Sequence, residues 1–248
     1  MRKIGLVLLV FCGLHLSVRA AEVSVAVASN FSAPMQKIAQ AFEQETGHKA
    51  LLSFGSTGNL YAQIRHGAPY QVLLAADNTT PLKLEAEGLG VAGSRFTYAL
   101  GTLVLWSKQP KLVDEKGDIL RSVKFDRIAI ANPKLAPYGA AAVETLTQMG
   151  VLQSVQPKLV QGENISQTYQ FVATQNAQLG FVALSQVMVD GRVSQGSAWV
   201  VPAHLHSPIR QDAVLLVKGQ GAPAAAALMQ FLRSERARTL IRTFGYAL

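Results

Sequence analysis

The sequence predicts an α/β fold of two lobes, each built on a mixed, mainly parallel β-sheet, with a hinge between the lobes. Short apolar runs alternate with amphipathic helical segments along most of the chain, which is typical of parallel sheets covered by helices. The alternation is interrupted once, by a long apolar stretch at 96–106 and a charge-rich segment at 107–126. We expect this interruption to carry the chain into the second lobe, with a crossover near Thr97.

The first twenty residues are predicted to be a secretory signal peptide, cleaved after Ala20. Arg2 and Lys3 precede an apolar run of signal length, and small residues stand around the cleavage position. Its removal leaves 228 residues, enough for a substantial core. Because Arg2, Lys3 and Arg19 are removed with it, the formal net charge falls from +8 to +5. Cys12, the one cysteine, also leaves, which excludes disulfides and thiolate metal sites from the mature chain.

The first lobe is predicted to comprise residues 21–97 and 206–248. Its opening strand at 23–28 is a near-continuous apolar run, and the following segment places Met35, Ile38 and Phe42 at helical spacing before a stop at Gly47. The remaining elements follow the same alternation. Further strands are expected at 50–54, 72–76 and 213–217, and further helices at 60–65, 81–87 and 223–244.

The second lobe is predicted to comprise residues 98–205 and to repeat the strand and helix alternation of the first. Strands are expected at 128–131, 158–160, 179–183 and 199–202, with helices at 139–149 and 166–174. No run of Lys or Arg with interleaved aromatics occurs in either lobe, so nucleic-acid binding is not expected.

Four loops that follow predicted strands and precede predicted helices are the candidate ligand-binding segments. They contain Ser29 with Asn30, Ser56 with Thr57, residues 133–139 and residues 162–165. Ligands of open α/β sheets bind beyond the carboxyl ends of the strands, where these loops lie. Helix starts leave backbone N–H groups unpaired at the positive end of the helix dipole. The loops therefore predict capture of a small anion.

Each of these features also has a purely structural interpretation when it is taken alone. Ser29 and Asn30 are favoured helix caps, and Asp77 is better explained as a cap than as a catalytic group. His204 and His206 could face one side of a strand, but no third metal ligand lies near them in sequence. Glu163 is the main titratable group in the four loops, so an exported enzyme that uses the same cleft stays an alternative.

Six segments in order along the chain resemble the ModA family, the periplasmic type II solute-binding proteins that bind molybdate for ABC importers. Singly they are weak signals, and as an ordered set over nearly the whole mature chain they are specific. The segments are 25–31 (VAVASNF), 54–58 (FGSTG), 63–69 (QIRHGAP), 75–77 (AAD), 132–133 (NP) and 162–164 (GEN).

The resemblance implies a molybdate or tungstate site made of neutral hydrogen-bond donors from both lobes, with no direct coordination of the metal by side chains. The implied ligand-binding residues are Ser29, Asn30, Thr57, Tyr138 and Ile165. Asn30 and Thr57 would supply backbone and side-chain donors, with Ser29 beside the first and Ser56 as the substitute if that loop is shifted by one residue. Tyr138 and Ile165 would each supply a backbone N–H at a helix start.

Three residues in two segments depart from the family pattern. Some members carry a tyrosine hydroxyl where this chain has Ala183, and Tyr138 is the candidate to restore the aromatic. Relatives often have Ala-Asp where this chain has Tyr70 and Gln71. The departures leave open a binder of another oxyanion, such as sulfate or phosphate, or of a small organic anion.

The function that the resemblance implies is capture of molybdate or tungstate and its delivery to an inner-membrane ABC permease. The protein is expected to be a periplasmic monomer without a cofactor and without enzymatic activity.

Overall fold

The computed structural model describes residues 20–189 and 191–248. The predicted signal peptide lies outside the described residues, apart from Ala20. In the described part of the chain, two five-stranded sheets form the centres of two lobes, and helices cover their faces. No helix within 20–189 or 191–248 is both long enough and apolar enough to cross a membrane.

The first sheet has the strand order β2-β1-β3-β12-β4. Strands β2, β1 and β3 are parallel to one another, and β12 runs antiparallel to both of its neighbours, β3 and β4. Its strands are β1 (Glu22–Ala28), β2 (Lys49–Gly55), β3 (Val72–Leu74), β4 (Phe96–Gly101) and β12 (Ile209–Leu215). Its helices are α1 (Ser32–Thr46), α2 (Thr57–Arg65), α3 (Thr79–Ala86), α9 (Pro223–Phe231) and α10 (Glu235–Thr243).

The second sheet has the order β11-β5-β8-β6-β7, with β8, β6 and β7 parallel and β5 and β11 antiparallel to their neighbours. Its strands are β5 (Leu103–Ser107), β6 (Ile128–Ala131), β7 (Leu159–Gly162), β8 (Leu179–Ala183) and β11 (Ser197–Val200). Its helices are α4 (Ile119–Ser122), α5 (Pro137–Gln148), α6 (Leu152–Val155), α7 (Ile165–Ala173) and α8 (Leu184–Val187). A small hairpin of β9 (Met188–Val189) and β10 (Arg192–Val193) follows α8.

The predicted class, an α/β fold of two lobes with mixed sheets, is confirmed, and in each sheet two of the four strand pairings are parallel. The chain changes sheet at Thr102, not near Thr97. Thr97 lies inside β4 and pairs with Asp212 of β12. The apolar stretch at 96–106 is two strands separated by Thr102, and apolarity alone gives no sign of that division. The chain returns to the first sheet between Val200 and Ile209.

The predicted single helix at 223–244 is also two helices in the structure. Ser234 lies between α9 and α10, and its side-chain oxygen accepts a hydrogen bond from the Ala237 N–H, so it caps the start of α10. The apolar spacing continues across this break because Ile241 of α10 and Leu228 of α9 pack into the same core.

Candidate functional site

A small cavity lies between the lobes, at the carboxyl ends of β1, β2 and the neighbouring strands. Its volume is about 10 Å³, counted as the space open to the centre of a water-sized sphere. All five residues that the sequence predicted for the site line it, together with Ser56. The lining residues are Ala28, Ser29, Asn30, Gly55, Ser56, Thr57, Ala76, Ala136, Pro137, Tyr138 and Ile165.

The first wall of the cavity is a one-turn 3-10 helix at Ser29–Phe31, directly after β1. The Ser29 carbonyl accepts hydrogen bonds from the Ser32 hydroxyl at 2.7 Å and from the Ser166 hydroxyl of the second lobe at 3.2 Å. These bonds fix the peptide plane between Ser29 and Asn30. Because a trans peptide places its N–H opposite its carbonyl, the Asn30 N–H points away from Ser32 and Ser166.

The second wall is the start of α2, where Ser56 and Thr57 follow β2. The Thr57 Oγ1 accepts a hydrogen bond from the Ala76 N–H at 3.0 Å, which leaves the hydroxyl hydrogen of Thr57 available to a ligand. The Ser56 hydroxyl is fully buried and has no hydrogen-bond partner among residues 20–189 and 191–248. Buried polar groups are normally paired, so an unpaired hydroxyl in a cavity wall is consistent with a place for a ligand oxygen.

The second lobe contributes two helix starts. Pro137 is the first residue of α5, and Tyr138 follows it with a backbone N–H in the first turn. Asn164 caps α7: its Oδ1 accepts from the Ser166 N–H at 3.0 Å and from the Gln167 N–H at 3.1 Å. Asn164 Oδ1 does not accept a hydrogen bond from the Ile165 N–H, and Ile165 lines the cavity.

Within the part of the chain that the structure describes, no carboxylate, histidine, lysine or arginine lines the cavity wall. Its one titratable side chain is Tyr138, and burial raises the pKa of this phenol well above its ordinary value. The lining therefore stays uncharged across the physiological range. Hydroxyls and N–H groups from short helix starts make it a collection of neutral donors.

A buried polar network lies directly behind the cavity and uses the side chains of Asn30 and Tyr138. Asn30 Nδ2 donates to Gln211 Oε1 at 2.8 Å and to the Tyr246 hydroxyl at 2.9 Å. Gln211 Nε2 donates to the Tyr138 hydroxyl at 3.2 Å. Both side-chain hydrogens of Asn30 are therefore used outside the cavity, and its backbone N–H is the donor that remains on the cavity side.

Hydrogen bonds join the lobes on several sides of the cavity, among them the bond from Gln211 to Tyr138 described above. Besides the bond from Ser166 to the Ser29 carbonyl, the Gly58 N–H donates to the Leu135 carbonyl at 2.9 Å. Asn59 Nδ2 donates to Glu163 Oε1 at 3.0 Å. Glu163 is thus an exposed contact between the lobes and does not line the cavity, so the structure does not place it where the enzyme alternative requires it.

The other candidate groups lie outside the cavity. Asp77 accepts from the Thr80 N–H at 2.7 Å, which confirms its interpretation as a cap of α3. Burial raises the pKa of its carboxyl group. A wider groove beside the cavity is lined in part by Asp77, Lys134 and Arg210. Among residues 20–189 and 191–248, no group of three or more His, Cys, Asp or Glu side chains could hold a metal ion, and this includes the surroundings of His204 and His206.

Comparisons with known proteins agree with this geometry. The family described as bacterial extracellular solute-binding protein matches residues 23–247. Over 230 residues the chain is 57% identical to the molybdate-binding protein ModA of Azotobacter vinelandii, covering 93% of this chain and 91% of that protein. The chain belongs to the ModA family.

Two further comparisons support this membership. The chain is 49% identical over 234 residues to ModA of Rhodobacter capsulatus, covering 94% of this chain and 91% of that protein. The solved structure of an Azotobacter vinelandii periplasmic molybdate-binding protein superimposes with a TM-score of 0.87 at 40% identity, covering 91% of this chain and 99% of that chain. The predicted resemblance and the predicted fold are thereby confirmed, and these relatives are named as binding proteins.

In this ModA-family chain, sequence reasoning missed Ser185, Gln211 and Tyr246 of the network behind the cavity. Each stands in a different segment, far from Asn30 in sequence, and none belongs to a recognisable motif. Gln211 is fully buried, but it stands between Arg210 and Asp212 in β12, so the sequence gives no sign that it differs from its polar neighbours.

Proposed function

We propose that this chain is an extracytoplasmic solute-binding protein that captures molybdate or tungstate in the cavity between its lobes and delivers it to an ABC importer. The observation that carries the proposal is the uncharged donor lining of the cavity, in a chain similar over nine-tenths of its length to proteins named as molybdate-binding.

The chemistry of a tetrahedral dianion matches such a lining. An ion removed from water loses several kcal/mol of solvation unless hydrogen bonds replace it. Charge-assisted bonds from N–H and O–H groups are stronger than neutral ones, and helix starts add a favourable dipole. A wall with donors and no carboxylate acceptor also disfavours a protonated anion, because the O–H group of the anion would have no strong acceptor.

The proposed ligand donors come from both lobes. The backbone N–H groups of Asn30, Tyr138 and Ile165 and the hydroxyl of Thr57 contact the oxyanion directly, with Ser29 beside Asn30. The support for these roles is that each residue lines the cavity and that the Asn30 side chain is engaged elsewhere. The unpaired Ser56 hydroxyl is an additional donor on the same wall.

Closure of the lobes on the ligand follows from donors that lie on both sides of the cavity. A ligand that contacts both lobes at once favours the closed arrangement over an open one by its differential affinity. We propose a division in which residues 103–200 move as the second lobe, with hinge segments at Thr102 and 201–208, since these segments connect the two sheets. The protein acts as a monomer in the periplasm, after export by residues 1–20.

The test is isothermal titration calorimetry of the mature protein, stripped of bound anion, with molybdate, tungstate, sulfate and phosphate in parallel. We expect tight one-to-one binding of molybdate and tungstate and no heat from sulfate or phosphate. Tight binding of sulfate or phosphate would shift the assignment to another oxyanion. Absence of binding for all four would overturn the proposal.

A further inference from the structure

The carboxyl-terminal tail, defined here as residues 244–248, inserts a tyrosine between the lobes. After α10 the tail pairs with β4, since Leu100 and Ala247 exchange backbone hydrogen bonds at 2.8 and 3.3 Å. Tyr246 is 5% exposed, and its ring packs edge-on against Phe31, with ring centroids 5.3 Å apart. The tail is therefore anchored in the first lobe, next to the short helix that carries Asn30.

The hydroxyl of Tyr246 has partners in both lobes. It donates to the Asn30 carbonyl at 2.9 Å and accepts from Asn30 Nδ2 at 2.9 Å. It lies 2.9 Å from the Ser185 Oγ of α8, and Ser185 itself donates to the Asn30 carbonyl at 3.0 Å. Tyr246, Ser185 and the Asn30 carbonyl thus form a triangle of polar contacts that crosses from one lobe to the other, and the two hydroxyl hydrogens serve two of its three sides at a time.

Side chains of the second lobe also pack against the tail. A Cβ placed on Gly245 would lie 2.6 Å from Met188 Cε and 3.0 Å from Leu184 Cδ2. Leu184 begins α8, and its N–H donates to the carbonyl of Thr102, where the chain passes between the sheets. Ser185 is therefore held in place by the crossover on one side and by the tail on the other.

We propose that Tyr246 is a positioning residue that couples Asn30 to the second lobe and thereby slows release of the bound oxyanion. The inference rests on the proposed function of the cavity. Tyr246 is not among the described residues that line the cavity. It holds both the carbonyl and the side-chain amide of Asn30, and the Ser29 carbonyl is held separately by Ser32 and Ser166. The triangle therefore adds to the bonds that keep Asn30 in place at the cavity wall.

The arrangement predicts an effect on dissociation. Rotation of the lobes away from each other stretches the bonds from Ser185 to Tyr246 and Asn30, so the triangle adds to the barrier that release must cross. Affinity differences between variants of one binding site appear mostly in the dissociation rate. Removal of the Tyr246 hydroxyl should therefore accelerate release and leave association nearly unchanged.

The test is stopped-flow measurement of tungstate association and dissociation for the mature wild-type protein and for Tyr246→Phe, Ser185→Ala and the double variant. We expect release to accelerate about tenfold in each single variant. The double variant should be little faster than the single ones, because each change breaks the same triangle. Thermal unfolding without ligand is measured in parallel.

Tyr98→Phe is the matched control. The Tyr98 hydroxyl is also buried, but its one hydrogen is shared between the Ala75 carbonyl at 3.0 Å and Gln211 Oε1 at 3.1 Å, both in the first lobe. We expect Tyr98→Phe and Tyr246→Phe both to lose thermal stability, but only Tyr246→Phe to release tungstate faster. A positioning role is distinguished from a structural one by this difference.

The outcomes separate the two proposals. If wild-type protein binds tungstate and Tyr246→Phe releases it at the wild-type rate, the positioning role is overturned and the proposed function stands. Equal acceleration in Tyr98→Phe would also overturn it, since any buried hydroxyl would then suffice. If wild-type protein binds no oxyanion, both proposals fall. If Tyr246→Phe does not fold, Ser185→Ala decides by the same rates.

Discussion

The cavity between the lobes and the polar network behind it share Asn30 and Tyr138, yet they use their hydrogen-bond donors differently. In the network, both side-chain hydrogens of Asn30 and the hydroxyl of Tyr246 have partners. In the cavity, the Ser56 hydroxyl has no hydrogen-bond partner among the described residues, and the Thr57 hydroxyl accepts one bond and keeps its hydrogen for a ligand. Satisfied networks rigidify a fold, whereas unpaired buried donors carry an energetic cost that a ligand can remove.

The comparison assigns two functions to one residue. The side chain of Asn30 belongs to the rigid frame, and its backbone N–H belongs to the site. This separation explains how a binding site can consist largely of main-chain donors and still be specific, because the side chains behind it fix the directions of those donors.

The largest effect is expected for Asn30→Asp, which should abolish binding of molybdate in calorimetry. The carboxylate places negative charge beside a dianion and faces Gln211 Oε1, which loses one of its two donors. Asn30→Ala is the control: it breaks the network without adding charge, so binding should be weakened but measurable. Unchanged affinity in Asn30→Asp would refute the site, and equal loss in both variants would show that repulsion is not the cause.

A smaller effect is expected for Thr57→Ala, which removes one cavity donor and leaves the network intact. Hydrogen bonds to charged groups contribute about 1.5–3 kcal/mol, so molybdate should bind about tenfold to hundredfold more weakly by calorimetry. Thr57→Ser keeps the hydroxyl and should retain most of the affinity. If Ser56→Ala weakens binding and Thr57→Ala does not, the loop presents Ser56 to the ligand instead.

Gly58→Ala is expected to weaken binding by about tenfold, by obstructing closure without removing a donor. An added Cβ would lie 2.9 Å from Leu135 Cδ2 and 3.0 Å from Leu135 Cα, beside the bond between the Gly58 N–H and the Leu135 carbonyl. The ligand-free protein should unfold at the wild-type temperature or above, because Ala is preferred to Gly in helices. Small-angle scattering with saturating tungstate should show a less compact protein than wild type. If Gly58→Ala binds tungstate with wild-type affinity, the contact between Gly58 and Leu135 does not belong to the interface that closes on the ligand.

The smallest effect is expected from pH, because Tyr138 is the one titratable residue in the cavity wall. Affinity measured between about pH 6 and about pH 9 should be constant. Burial raises the pKa of Tyr246 to about 12 and that of Tyr138 well above its usual value. Phenols with a raised pKa in the folded state stabilise the fold fully below about pH 10, and this contribution is lost as pH rises toward 12. A change in affinity near neutral pH would reveal a titrating group in the site.

Much of the fold could be predicted because it depends on local patterns. Ile128–Ala131 and Leu179–Ala183 are strands with the predicted bounds, since each is a short apolar run between polar turns. The break at Ser234 also had a local signal, a capping serine, which the continuous apolar spacing obscured. The crossover at Thr102 had none, because the strands on both sides of it are apolar and belong to different sheets.

The candidate site could be predicted only in part, for a related reason. Loops such as Ser56 with Thr57 carry their chemistry in adjacent residues, so a sequence pattern identifies them as candidates. The contact between Asn30 and Tyr246 joins residues 216 positions apart, and its partner Ser185 lies in a four-residue helix without a motif. Such contacts follow from topology, which brings the tail, α8 and the first loop together, and no local pattern encodes them.

The most direct test of the central claim is a crystal structure of the mature protein with tungstate, with the metal located by its anomalous scattering. We predict the ion in the cavity, with its oxygens within hydrogen-bond distance of the Asn30, Tyr138 and Ile165 N–H groups and the Thr57 hydroxyl. Asn30 Nδ2 should remain bonded to Gln211 and Tyr246. An ion held by Asn30 Nδ2, or one bound in the wider groove near Lys134 and Arg210, would contradict the account.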